Sequence, residues 1–322
     1  MRRRTFIAAA LGSMAGGAAG AEALHHGAAL AFGTTVGIAV RHPDAALARR
    51  AIDAALADVR RIDGLMSIHQ AGSQVFRLNR DRVLPEPDPH LLAVLDHARA
   101  LSRLTHGAFD ITVQPLWNAF DAAAATTPAG LPTEAARLHA RGLVGWTGVQ
   151  AGRARVALAR PGMAITLNGL AQGYAADLAL AALRRHGVRH ALVDTGEFGK
   201  LGQADGRPWT IGIRDPRHED ALAASLALDG RCVATSGDYA CAFTPDCRHH
   251  HIFDPASGAS PLELASVTVL APTGLEADGL STAFMVMGAR RAHALAAHLP
   301  GVDLLVIGKD GRRWKSAGFP AA

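Results

Sequence analysis

Apolar positions recurring at three and four residues mark the long helices of this chain. Residues 44–66 carry Ile52, Leu56, Val59 and Ile62 at that spacing behind Asp44, a good N-cap, and predict a helix. A second helix starts at Asp88-Pro89, a cap residue followed by proline at the first helical position. It presents Leu91, Leu95 and Ala98 on one face and stops at Gly107. Residues 169–186 predict a third, with Gly187 as its C-terminal stop, and residues 276–287 and 290–298 predict two more. Short β-like runs occupy 34–40, after a glycine turn, and 191–194, 209–214, 224–228, 232–235 and 266–271. Residues 302–308 and 313–315 flank Asp310-Gly311, a hairpin turn, and residues 123–132 read as an Ala/Thr/Pro/Gly loop. Helices and strands do not alternate regularly, which favours α+β over a doubly wound sheet. With no internal repeat and no convincing linker, the mature chain reads as one domain, with room for two lobes.

The 322 residues are 49% hydrophobic and 19% charged, a composition that folds. After the first thirty residues no run approaches the roughly 18 apolar positions of a membrane span. Arg2, Arg3 and Arg4, an apolar Ala/Gly/Leu run and Ala19-Gly20-Ala21 make a charged region, a short apolar region and an A-x-A cleavage site. Arg2-Arg3-Arg4-Thr5-Phe6-Ile7 also resembles a twin-arginine export signal, with an ordinary secretory signal as the alternative. Residues 1–21 are therefore expected to be an export signal and the mature protein to be periplasmic. Without the three arginines, 30 basic side chains face 28 acidic ones, a balance of +2 that gives no reason to expect nucleic acid. No lipobox cysteine follows the signal, so a soluble protein is expected. Cys232, Cys241 and Cys247 are too few for a disulfide scaffold or a four-cysteine metal site. Either Cys241 pairs with Cys247, or all three thiols stay unpaired.

Four polar segments interrupt the apolar pattern. In 107–116, Asp110 and Thr112 share a face if the segment is extended; a turn with local side-chain hydrogen bonds is the other reading. In 167–177, Gly169 and Gly173 open a helix, either to admit a phosphate to the backbone or to let helices pack closely; 194–199 then forms a glycine turn after a strand. The third segment joins Thr235-Ser236-Gly237-Asp238-Tyr239 to His249-His250-His251. Neighbours on a strand point to opposite faces, so one functional histidine is expected, with the others solvated. In the fourth, Asp278 and Thr282 are four apart and share one helical face. A carboxylate and a hydroxyl there suit Mg²⁺ held partly by a substrate phosphate, or else a helix cap and a buried threonine.

Together and in this order the segments resemble the FAD:protein FMN transferases, the ApbE family. The likeness begins at Phe32-Gly33-Thr34 and includes Met66-Ser67, Ser73, Leu78-Asn79, Phe109-Asp110-Ile111-Thr112 and Pro115. It continues through Gly173-Tyr174 and Asp177, 209–213 with Pro216, 235–239, His251-Ile252 with Asp254-Pro255 and Gly258, and Ala277-Asp278 with Ser281-Thr282. The resemblance implies that residues 22–322 form an α+β flavin transferase domain of mixed sheets and flanking helices around a flavin cleft. Its substrate would be FAD, its metal Mg²⁺, and its reaction transfer of FMN to a Thr or Ser hydroxyl of another protein, with release of AMP. It implies metal ligands at Asp278, Thr282 and the Ala171 carbonyl, and catalytic roles for His251 and Asp278. Flavin contacts are implied at Met66, Asp110, Thr112, Gln172, Gly196, Glu197, Ser236, Gly237 and His251.

This chain has Gln172 where the family often has lysine, Gly196-Glu197 where it often has two glycines, and His69 where an aromatic ring usually flanks the flavin. These departures keep two other readings open: a non-catalytic FAD carrier, and a pyrophosphatase that hydrolyses FAD. Asn168–Tyr174 and Asp194–Glu197 are similar to the NosX-type subgroup, which implies nitrous-oxide reductase maturation with a NosR-like flavoprotein as acceptor.

Overall fold

The computed structural model describes residues 22–127 and 130–320. The export signal expected over residues 1–21 lies outside the described residues. The fold opens with a hairpin of β1 (Ala23–Ala31) and β2 (Thr34–His42), paired from Ala23 opposite His42 to Ala31 opposite Thr34. Asp44 caps α1 (Ala45–Met66) by accepting from the Ala46 and Leu47 N–H groups. Then come α2 (Gln74–Asp81), β3 (Val83–Pro85), α3 (Pro89–Leu104), a single 3-10 turn at Ile111–Val113, α4 (Gln114–Thr126), α5 (Glu134–Gly142), β4 (Val149–Ala151) and β5 (Arg155–Leu158). The second half runs α6 (Ala171–Arg185), β6 (His190–Asp194), β7 (Phe198–Leu201), β8 (Thr210–Arg214), β9 (Leu222–Ala227), β10 (Cys232–Gly237) and β11 (Leu264–Ala271). It closes with α7 (Gly274–Met287), α8 (Ala289–Ala296), β12 (Asp303–Gly308) and β13 (Arg313–Lys315).

Eight strands form one sheet in the order β1-β2-β6-β7-β10-β11-β12-β13, and every pairing in it is antiparallel. The α+β expectation therefore holds. The side chains of β10 alternate between two cores: Cys232 and Ala234 join the main cluster with α1, α6 and α7, while Val233 faces Trp209, Ile211, Ile213 and Leu226 of the β8–β9 hairpin. All eight residues of β11 are buried, as a central strand covered on both faces requires. A third, smaller cluster of Leu116, Phe120, Ala140 and Phe253 lies where α4 and α5 meet the loop after β10.

The helices expected from spacing and caps stand close to their predicted bounds, although α6 begins at Ala171 and not at 169. Strands β1, β3, β4, β5 and β7 and helices α2, α4 and α5 go beyond what the sequence predicts. The loop expected over 123–132 is corrected in part, since α4 continues to Thr126. Among the described residues no helix is long and apolar enough to cross a membrane.

Candidate functional site

The site forms where α6 and α7 cross. A Cβ on Gly173 would overlap the Gly274 carbonyl, so the two backbones touch there, and only glycine allows it. Asp177, one turn further along α6, accepts from the Gly274 N–H at 2.7 Å and the Leu275 N–H at 2.9 Å. It thereby satisfies the first free donors of α7 and ties the helices together. Asp278, only 4% exposed, accepts from the Gly173 N–H at 3.0 Å. Thr282 lies one turn on, as the four-residue spacing predicted, and a Cβ on Gly169 would meet its Oγ1 at 2.8 Å. Ser236, on β10, is within hydrogen-bond distance of both the Thr282 hydroxyl (3.2 Å) and the Ser281 hydroxyl (2.8 Å).

The turn from β6 to β7 closes the other side. The Gln172 amide donates to the Thr195 carbonyl at 2.5 Å, and the Thr195 hydroxyl donates back to the Gln172 carbonyl at 2.9 Å. A side chain on Gly196, whose φ is 99°, would overlap the Gln172 amide. The Gly196 N–H donates to Asp194 at 2.9 Å. Glu197, buried, accepts from the Thr235 N–H at 3.2 Å.

Four carboxylates thus surround the junction. Burial pushes Asp278 up to about 7, and the charge of Asp177 adds to it. Glu197 is raised well above the ordinary carboxylate range, by burial first and by Asp278 second. Asp177 and Asp194 are raised by burial. Among the described residues, no arginine, lysine or histidine forms a salt bridge with any of these four. Buried carboxylates without a cation are a costly arrangement, and a hard divalent ion resolves it. The donors available fit such an ion: Asp278, the Thr282 hydroxyl and the Ala171 carbonyl at the start of α6. No three His, Cys, Asp or Glu side chains among the described residues form a metal cluster on their own. A cation held here would therefore need hydroxyl, carbonyl and substrate oxygens beside Asp278.

The remaining predicted residues fall into distinct places. Ser236 and Gly237 end β10 at the junction. Met66 closes α1 with its side chain 2% exposed in the core. Asp110 and Thr112 do not lie on an extended segment. Asp110 caps the 3-10 turn, accepting from the Thr112 N–H at 2.8 Å and the Thr112 hydroxyl at 2.6 Å, and from the Trp146 N–H at 2.9 Å. Thr112 accepts from the Gly145 N–H at 2.7 Å, so the pair pins the 145–146 loop.

The histidines are also not as expected. His250 is fully buried, not solvated, and its N–H donates to Ser260 at 2.8 Å. His249 is half-buried with its ring 6.0 Å from that of Phe120. His251 is half-buried, with Nδ1 3.2 Å from the Cys241 carbonyl. A carbonyl only accepts, so the ring donates there from Nδ1. Cys232, Cys241 and Cys247 form no disulfide with one another. His69 stacks edge-on to Trp117 at 6.3 Å.

Sequence reasoning missed Asp177 as the clamp, Asp194 and Thr195 in the turn, and the ion pair under the loop. There Asp238, 0% exposed, accepts from Arg217 through both oxygens at 2.8 and 2.7 Å, with Lys309 at 3.3 Å. Asp177 and Asp238 both stood within recognised motifs, which was the signal available. A cavity of about 340 Å³ opens between Ile68, Phe76, Asn79, Gln114, Asn118 and Met163, beside the segment that leads to α6. Asn79 fixes that segment with two hydrogen bonds to the Ile165 backbone, at 2.8 and 2.7 Å.

Fold and site together define an α+β enzyme with a carboxylate–hydroxyl centre at a helix junction. Residues 32–306 match the ApbE family, and the chain belongs to that family. It is 33% identical over 268 residues to the FAD:protein FMN transferase of Salmonella typhimurium, covering 79% of this chain and 75% of that protein. It is 35% identical over 250 residues to the FAD:protein FMN transferase of Treponema pallidum, covering 72% and 69%. Among solved structures it is similar to the ApbE protein of Thermotoga maritima, with a TM-score of 0.80 and 30% identity over 92% of this chain and 97% of that one. It is also similar to the flavin transferase ApbE of Vibrio cholerae, with a TM-score of 0.79 and 27% identity over 92% and 98%.

Proposed function

We propose that this enzyme is a Mg²⁺-dependent FAD:protein FMN transferase. It moves the FMN half of FAD onto a Thr or Ser hydroxyl of an exported or membrane-attached flavoprotein and releases AMP. The observation that carries the reading is Asp278: buried, without a cationic partner, and one helical turn from Thr282 at the N-terminus of α6. Family membership and the two transferase relatives support the activity.

Asp278, Thr282 and the Ala171 carbonyl would hold Mg²⁺, which offsets charge on the pyrophosphate oxygens. His251, oriented by its Nδ1 contact with the Cys241 carbonyl, takes the proton of the acceptor hydroxyl. That oxygen attacks the phosphorus of the FMN phosphate, the bond to the bridging oxygen breaks, and AMP leaves with the electron pair. The arginine-led start of the chain supports a periplasmic site of action, and the 168–174 and 194–197 patterns support a NosR-like acceptor.

Incubation with FAD, Mg²⁺ and a Thr-containing acceptor, followed by mass measurement, tests this. The acceptor should gain the mass of an FMN group and AMP should appear. EDTA or Asp278→Ala should abolish both. Intact FAD retained by the protein would instead make it a carrier, and free FMN with an unmodified acceptor would make it a pyrophosphatase.

A further inference from the structure

The β6–β7 turn delivers a second carboxylate to the place where α7 presents Asp278. Glu197 ends that turn, 8% exposed, and reaches β10, where its Oε2 accepts from the Thr235 N–H at 3.2 Å. The next residue of β10, Ser236, meets the Thr282 hydroxyl at 3.2 Å. Two residues before Glu197, Thr195 is locked by paired hydrogen bonds to Gln172, which follows Ala171 in α6. Glu197 is thus held to β10 beside Ser236, at the end of a turn that is tied to α6. Among the described residues no salt bridge reaches Glu197. Asp278 is the charge that acts on it most strongly. Two buried carboxylates at one junction, neither with a cationic partner, are costly unless a cation or a shared proton neutralises them.

We propose that Glu197 is a second carboxylate donor to the divalent cation at Asp278 and Thr282, and that it lets the protein take up that cation before any nucleotide binds. The proposal rests on the metal assignment made above. A hard cation with one carboxylate depends on substrate phosphate for the rest of its oxygens. Adding Glu197 gives the protein alone a second negative donor, which is what raises affinity at an oxygen-lined site.

The test is titration of Mn²⁺ into the nucleotide-free full chain, followed by calorimetry and by loss of the free-Mn²⁺ paramagnetic resonance signal. The wild type, Glu197→Gln, Glu197→Asp and Asp278→Asn are compared. Glutamine keeps an oxygen for the Thr235 N–H, so the turn should hold, and circular dichroism checks that it does. The wild type should bind Mn²⁺ without nucleotide, Glu197→Gln should weaken binding by about tenfold or more, and Glu197→Asp should recover part of the loss. Wild-type affinity in Glu197→Gln, with binding lost in Asp278→Asn, would overturn the Glu197 assignment alone and leave a shared proton in its place. No uptake by the nucleotide-free wild type would overturn it equally, with the nucleotide-dependent metal site untouched. Full affinity in Asp278→Asn would sink the metal assignment itself, and the role of Glu197 with it.

Discussion

Gly173 and Gly274 touch backbone to backbone, and that contact sets the distance between the helices that build the site. A methyl group on Gly173 would meet the Gly274 carbonyl and the Asp278 Cβ, neither of which can swing away. Gly173→Ala should therefore cost about 1–3 kcal/mol of stability and weaken Mn²⁺ binding. Urea unfolding and metal titration check both, and an unchanged midpoint would show that the helices can separate freely.

Asp177→Asn keeps the shape but turns one acceptor of the clamp into a donor facing an N–H group. The start of α7 should loosen, at a cost of about 1 kcal/mol. Hydrogen exchange at the Gly274 and Leu275 amides should rise while exchange in α1 stays as it was. Unaltered protection at 274–275 would argue against the clamp.

Thr282→Val preserves volume and deletes the oxygen. Divalent-ion affinity should fall about 10- to 100-fold with little change in melting temperature. An affinity equal to wild type would remove Thr282 from the donor set and leave its contact with Ser236 as packing.

His250 sets a pH dependence. Burial lowers its pKa from 6.5 to about 4, while the Pro261 carbonyl opposes the shift and His251 adds to it. The folded protein keeps the ring neutral where the unfolded chain protonates it. Its contribution is complete above pH 6.5 and is lost as pH falls towards about 4. The stability advantage of wild type over His250→Gln should shrink across that window, as read by urea unfolding at stepped pH. A constant difference would mean that the ring charges in place.

Asp238 accepts from Arg217 through both oxygens at full burial. Arg217→Met leaves that carboxylate with Lys309 alone. The loss should be on the order of 3 kcal/mol, the low end for a broken buried pair, because Lys309 remains and Arg217 is about one-third exposed. Chemical unfolding measures it, and a loss under about 1 kcal/mol would show that Lys309 suffices.

Local periodicity and caps determined α1, α3, α6, α7 and the Asp310-Gly311 hairpin, because each signal lies within one or two turns of chain. The same locality placed Asp278 and Thr282 on one face, since four residues along a helix need no partner element. The alanine-rich α4 and the small-residue strand β1 carry little contrast between apolar and polar positions, so they left no such trace. The Phe198–Leu201 strand was hidden behind the glycine turn that precedes it. What only the tertiary structure decided is the meeting of distant groups. Pairing of β7 with β10 brings Glu197 to Thr235, and the Gly173–Gly274 crossing brings Asp278 to the α6 backbone. Burial, which raises these carboxylates and leaves them without cations, belongs to no residue in isolation. It arises when two helices and a turn exclude water from the same small volume.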